Sequence, residues 1–97
     1  MKVTVARIYI TEGEHVYEKI FKHLHDVSEV MGVTTFRGIS GFGKSGNIHS
    51  STLLDMSLDL PLIIEFFDSE YRVKRALDDL KDLIKPGHVI TFAANLQ

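Results

Sequence analysis

The chain has 97 residues, of which 44% are hydrophobic and 25% charged, with a formal net charge of −2 and no cysteine. That length predicts a single domain spanning residues 1–97, able to bury roughly 60–65% of its unfolded surface. The charge balance speaks against a protein that tracks nucleic-acid backbones, and the missing cysteines exclude a disulfide framework, a thiolate metal site and a cysteine nucleophile.

The opening MKVTVARIYI reads as a strand over residues 2–10 rather than as a signal peptide. No stretch approaches the ~20 apolar residues of a membrane span, so a cytoplasmic protein without membrane insertion is expected. From His15 to Met31, Val16, Ile20, Leu24, Val27 and Met31 recur at helical spacing, and Gly32 is expected to end that helix. VTTFRGISGFG, Val33 to Gly43, starts as a second strand and dissolves into glycine. A long polar segment then runs to LPLIIEFFD, Leu60 to Asp68, a third strand with Pro61 tolerable only near its start. Asp68 or Ser69 caps a second helix with Val73, Ala76, Leu77, Leu80, Leu83 and Ile84 on its face. Lys85-Pro86-Gly87 stops it, and HVITFAANL forms the last strand.

The order strand–helix–strand–strand–helix–strand predicts an α+β, ferredoxin-like βαββαβ fold, with two helices on one face of an antiparallel sheet. Two strands carry a second message. Leu62, Ile63, Ile64, Phe66 and Phe67 are apolar on both faces, as are Val89, Ile90, Phe92, Ala93 and Ala94. Two helices cover only one face, so the other should be covered by further copies of the chain.

GISGFGKS, Gly38 to Ser45, matches the phosphate-loop pattern G-x-x-x-x-G-K-[ST]. That mechanism needs a helix starting at the lysine, and Gly46-Asn47 is a turn signal that opposes one. The match is therefore read as accidental. Gly38, Gly41, Gly43 and Gly46 fit either a strand end opening into a loop or an anion-accepting concavity of backbone N–H groups beside Lys44.

These segments together resemble a family. ARIYITEGE, RGISGFGKSGNIHSS with its His49, and LDMSLDLPLIIEFFD are similar to the small PII-like proteins of bacteria and archaea, over nearly the whole chain. The resemblance implies a homotrimer related to the PII nitrogen-signalling proteins, with a small anionic ligand in the cleft between subunits. A nucleotide such as ATP, ADP or AMP is the implied ligand, and no resident cofactor is implied. Gly41, Phe42 and Gly43 would form the base of a signalling loop, with Lys44 in the basic position after it. The segment from Ser45 to about Asp59 would be presented to a target protein. Lys85, Gly87 and His88 would stand where PII grips phosphate. Ser45 replaces the glutamine of PII, and KPGH replaces its longer glycine-rich loop.

Arg37 reads either as the partner of Glu65 or Asp68, or as a bidentate grip on phosphate or carboxylate. Of the five histidines, His23 and His25 point apart on their helix and His15 is solvated, while His49 and His88 could meet at a subunit boundary. A metal-binding trimer resembling the CutA proteins, or a ligand-independent scaffold, is therefore the alternative. The cluster Arg72 to Arg75 reads as a solvated helix face beside Asp78, Asp79 and Asp82. No nucleophile–base arrangement is recognisable, and an enzyme is not expected.

Overall fold

A computed structural model describes residues 1–43 and 59–97, and the backbone at 49–50. Strand β1 (Lys2–Thr11) leads through a 3-10 turn (Glu12–Glu14) to helix α1 (Tyr17–Asp26) and strand β2 (Gly32–Arg37). The two-residue strands β3 (Ser40–Gly41) and β4 (His49–Ser50) pair antiparallel as a separate two-stranded sheet. Strand β5 (Pro61–Asp68), helix α2 (Glu70–Asp79) and strand β6 (Val89–Asn95) complete the chain. The main sheet is antiparallel, in the order β2-β5-β1-β6. This is the expected ferredoxin-like arrangement.

The core lies between the helices and one sheet face. Ala6, Ile8 and Ile10 of β1 pair with Phe66, Ile64 and Leu62 of β5, and against them pack Ile20 and Leu24 of α1 and Val73 and Ala76 of α2. Strict alternation along β5 produces this: Leu62, Ile64, Phe66 and Asp68 are buried, while Ile63, Glu65 and Phe67 turn to the other face. Asp68 is 3% exposed and accepts hydrogen bonds from Met31 N (3.1 Å) and Ser69 N (2.6 Å), which satisfies it. Pro61 is the first residue of β5, where its missing N–H costs no ladder bond. Ser69 caps α2 by accepting from Arg72 N at 3.3 Å.

Helix α1 is shorter than its periodicity predicts. It ends at Asp26, where the N–H groups of Val27 and Ser28 both donate to His23 O and Glu29 turns left-handed at φ 49°. Val27 and Met31 therefore lie outside the stripe and are exposed. Gly32 does not end a helix but begins β2, where a Cβ would stand 2.5 Å from the Phe67 ring. On α2 Arg72, Lys74 and Arg75 are exposed while Val73 between them is buried, with Lys74 bound to Glu70 at 3.0 Å and Arg75 donating to Tyr71 Oη at 3.4 Å, not to the later aspartates.

Candidate functional site

The sequence T-E-G-E after β1 builds the local frame. Thr11 N (2.7 Å) and Thr11 Oγ1 (3.4 Å) donate to Glu14 Oε2, the return half of a capping box. The turn so fixed presents two backbone N–H groups and two carboxylates to its neighbours. Glu12 N donates to Leu60 O (2.9 Å) and Gly13 N to Asp59 Oδ1 (2.6 Å), which ties down the chain leading into β5. The Glu12 carboxylate holds the Arg37 guanidinium, Nε to Oε1 at 2.6 Å, and Glu14 holds Lys85 Nζ at 3.5 Å. One three-residue turn thus ties together the end of β2, the start of β5 and the connection between α2 and β6.

Arg37 pairs with neither Glu65 nor Asp68, as the sequence suggested it might, and strand register gives the reason. Arg37 stands opposite Leu62, on the helix-covered side at one end of β5. Glu65 points to the other side and Asp68 lies at the strand's far end. Glu65 is instead taken by Arg7, directly across from it on β1, at 2.8 Å. That bond raises Arg7 above its ordinary pKa. The Arg7 guanidinium also sits 5.1 Å from the Phe92 ring centre. Around this pair the uncovered face exposes Tyr9, Phe36, Ile90 and Phe92, each between 37% and 49%.

Two depressions flank the turn. One of about 570 Å³ is lined by Glu12, His15, Tyr17, Glu18, Thr35, Arg37 and Leu62, with a Tyr17–Thr35 hydroxyl bond of 2.9 Å within it. The other, about 280 Å³, has an apolar lining of Leu77, Ile84, Pro86 and Val89 between Lys81 and Lys85, beside Gly87. Gly87 has φ 80°, which makes the tight Lys85–His88 turn accessible to glycine. His88 then enters the sheet: Tyr9 N donates to His88 O at 2.8 Å, and His88 Nδ1 lies 3.0 Å from Tyr9 O.

Of the residues singled out in the sequence, Arg37 and Lys85 are brought to the same turn, with Gly87 and His88 adjoining. Gly41 pairs with His49 through the β3–β4 ladder, Phe42 is 77% exposed, and Gly43 faces open space. Lys44, Ser45 and the His49 side chain lie outside the described residues. The glycines at 38, 41 and 43 all have ordinary φ, so positive φ is not what they supply. Gly38 alone serves close approach: its N donates to Pro61 O at 2.7 Å, and a Cβ there would stand 2.7 Å from Pro61 Cγ. The accidental reading of the phosphate-loop pattern agrees with the fold, since β4 follows it and the main sheet is antiparallel. His23 and His25 do part, toward Asp79 (3.4 Å) and Asp26 (2.6 Å). Among the described residues no three His, Asp or Glu side chains are grouped to hold a metal, and no helix is long and apolar enough to cross a membrane.

Glu12 and Glu14 were not anticipated as parts of the site, and Asp59 only as the end of the loop segment. The signal for the turn was present in the Thr11-x-x-Glu14 spacing. The ion pairs it makes depend on long-range contacts.

Residues 2–96 match the sequence model of DUF190, described as Uncharacterized ACR. The chain belongs to the DUF190 family. A UPF0166 protein of Aquifex aeolicus is 33% identical over 85 residues, covering 84% of this chain and 81% of its own. Among solved structures, this DUF190 chain is similar to CPII, a nitrogen regulatory PII-like protein from Thiomonas intermedia K12 bound to ADP, AMP and bicarbonate. The TM-score there is 0.71 at 20% identity, over 100% of this chain and 88% of the other. The CutA periplasmic divalent cation tolerance protein of Archaeoglobus fulgidus is also similar, with TM-score 0.61 at 15% identity over 98% and 84% of the two chains. The family is thus PII-like in fold, and these three likenesses are to a UPF0166, a PII-like and a CutA protein, not to an enzyme family.

Proposed function

We propose that this DUF190 protein is a cytoplasmic, non-enzymatic PII-like regulator. It is one domain over residues 1–97 that assembles as a homotrimer through the uncovered sheet face and takes a small anionic ligand, a nucleotide, in the cleft between subunits. The observation that carries the ligand reading is the convergence of Arg37, Asp59 and Lys85 on the Glu12–Glu14 turn. It brings Arg37, which braces the end of β2 against Glu12, and Lys85, the cation that a ligand would reach, to the base of the loop segment and links that base to the connection before β6. Gly41 to Ser45, His49, Gly87 and His88 complete the proposed site, and the segment from Ser45 to Asp59 is what a target protein would read. Ligand bound at that base changes what the segment presents. The nucleotides held by CPII support the ligand class.

Assembly rests on a separate observation. Tyr9, Phe36, Ile90 and Phe92 form an exposed apolar face around the Arg7–Glu65 pair that neither helix covers, and burying it against further copies of the chain is favourable. The test is light scattering for mass together with a melting-temperature series against ATP, ADP, AMP, copper and zinc. Three chain masses and a shift with one nucleotide are expected; ligand at a hundred times its Kd adds about 2.7 kcal/mol. A mass of one chain overturns the assembly. A shift with metal and none with nucleotide favours the second reading, a CutA-like metal-binding trimer using His49 and His88, which the CutA likeness supports.

A further inference from the structure

We propose that Glu14 is a resident counter-ion for Lys85 that a bound anion must displace, while Glu12 keeps Arg37 out of the exchange. The inference rests on the ligand reading above and names the residues that set its threshold.

The two ion pairs made by the turn are unequal. Arg37 lies 2.6 Å from Glu12, whose side chain is 21% exposed, and Glu12 Oε1 is itself buried. No hydrogen bond of good geometry reaches that oxygen, so the guanidinium is what compensates it. Drawing Arg37 toward a ligand would leave a buried carboxylate oxygen with nothing opposite it, which is strongly unfavourable. Arg37 therefore stays where it is and braces the end of β2.

Lys85 is held less closely. Exposure is alike in the two pairs, 69% and 21% for Arg37 and Glu12 against 66% and 17% for Lys85 and Glu14, but the ammonium stands 3.5 Å from Glu14 Oε1, a looser contact than the 2.6 Å of the arginine. The ammonium rides on a flexible four-carbon stem beside the Gly87 turn. Glu14 loses little when Lys85 leaves, because its other oxygen keeps the 2.7 Å bond from Thr11 N. The carboxylate is pinned by the backbone whether or not the lysine is present. An incoming phosphate thus meets a cation it can take and a fixed anion that competes for that cation and repels the phosphate. Glu14 sets how much negative charge a ligand needs in order to bind.

Glu14→Gln tests this cleanly, since glutamine serves equally at this capping position and only the charge is removed. ADP is titrated by calorimetry into the full chain, Glu14→Gln, Lys85→Gln and the double variant. Expected are about 1.5- to fivefold tighter binding for Glu14→Gln and at least about tenfold weaker binding for Lys85→Gln. In the double variant the gain from Glu14→Gln should be smaller than with Lys85 in place, since only the repulsion is relieved and no cation remains to compete for. Binding seen only in Glu14→Gln also supports the proposal. Wild-type binding with unchanged or weakened affinity in Glu14→Gln overturns it and leaves the ligand reading standing. No binding of ATP, ADP or AMP by either protein overturns both. Should Glu14→Gln fail to fold, lysine acetylation footprinting of the unaltered chain decides. Protection of Lys85 by saturating ADP is expected, and unchanged Lys85 reactivity refutes the exchange.

Discussion

Three glycines of one motif, at positions 38, 41 and 43, should respond to alanine in three different ways. At Gly38 the new Cβ would stand 2.7 Å from Pro61 Cγ and 3.4 Å from Pro61 O. Ordinary carbon contacts begin near 3.5 Å, so the overlap is on the order of 0.8 Å. A proline ring can pucker but cannot swing aside, so the backbone must give, and the 2.7 Å bond from Gly38 N to Pro61 O goes with it. Overpacking of this kind costs about 1–3 kcal/mol. At about 4–8 °C per kcal/mol for a domain of this size, Gly38→Ala should lower Tm on the order of 10 °C. Gly41→Ala meets Pro61 Cγ at 3.5 Å, ordinary contact, and should be nearly neutral. Gly43→Ala meets nothing within 4 Å at an ordinary φ, so it should be neutral or add about 0.4–1 kcal/mol by restricting the unfolded chain. Thermal melts of the three variants, followed by circular dichroism at one protein concentration, read the order directly. A Gly38→Ala melt within two degrees of the parent, or a Gly43→Ala loss as large, would refute the assignment of close approach to Gly38 alone.

Placing charge on the uncovered face by Ile90→Asp with Phe92→Glu should reduce the light-scattering mass to one chain while leaving the far-ultraviolet spectrum intact, because both residues lie outside the helix-side core. Phe66→Ala removes a fully buried ring at the centre of that core and should cost about 3–5 kcal/mol in chemical denaturation. Glu29→Gly relieves a left-handed residue after α1, at φ 49°, and should raise stability by about 0.5–1 kcal/mol in the same assay. The Arg7–Glu65 bond raises the arginine's pKa, so its contribution is complete below the ordinary arginine value and is lost only as pH climbs through the higher folded value. Titrating Arg7 should therefore leave Tm flat from pH 7 to 10, and a Tm loss there that Arg7→Lys abolishes would contradict it.

Much of the fold is legible in the residue order because short-range periodicity decides it. The alternation of Leu62, Ile64 and Phe66 with Ile63, Glu65 and Phe67 states both that β5 is a strand and that each of its faces is apolar. The spacing of Val73, Ala76 and Leu80 places α2 on the core by the same logic. The end of α1 was misjudged because periodicity continues through Val27 and Met31 although the backbone does not. A left-handed glutamate breaks the helix there, and no composition rule marks it.

The site was legible only in part. Lys85 and Arg37 stand out as cations near glycine, yet their positions in the chain say nothing of which carboxylates hold them. Strand register decides that. Because Arg37 faces Leu62 and Glu65 faces Arg7, the pairing suggested by proximity to β5 is impossible, and the turn after β1 supplies the partner. By itself the sequence determined the elements, their order and the two-sided apolar sheet, since these follow from side-chain character over a few neighbouring residues. Only tertiary structure decided that Glu12 and Glu14 stand against Arg37 and Lys85, because ion pairs form between segments 25 and 71 positions apart and depend on where the sheet and the Gly87 turn deliver them.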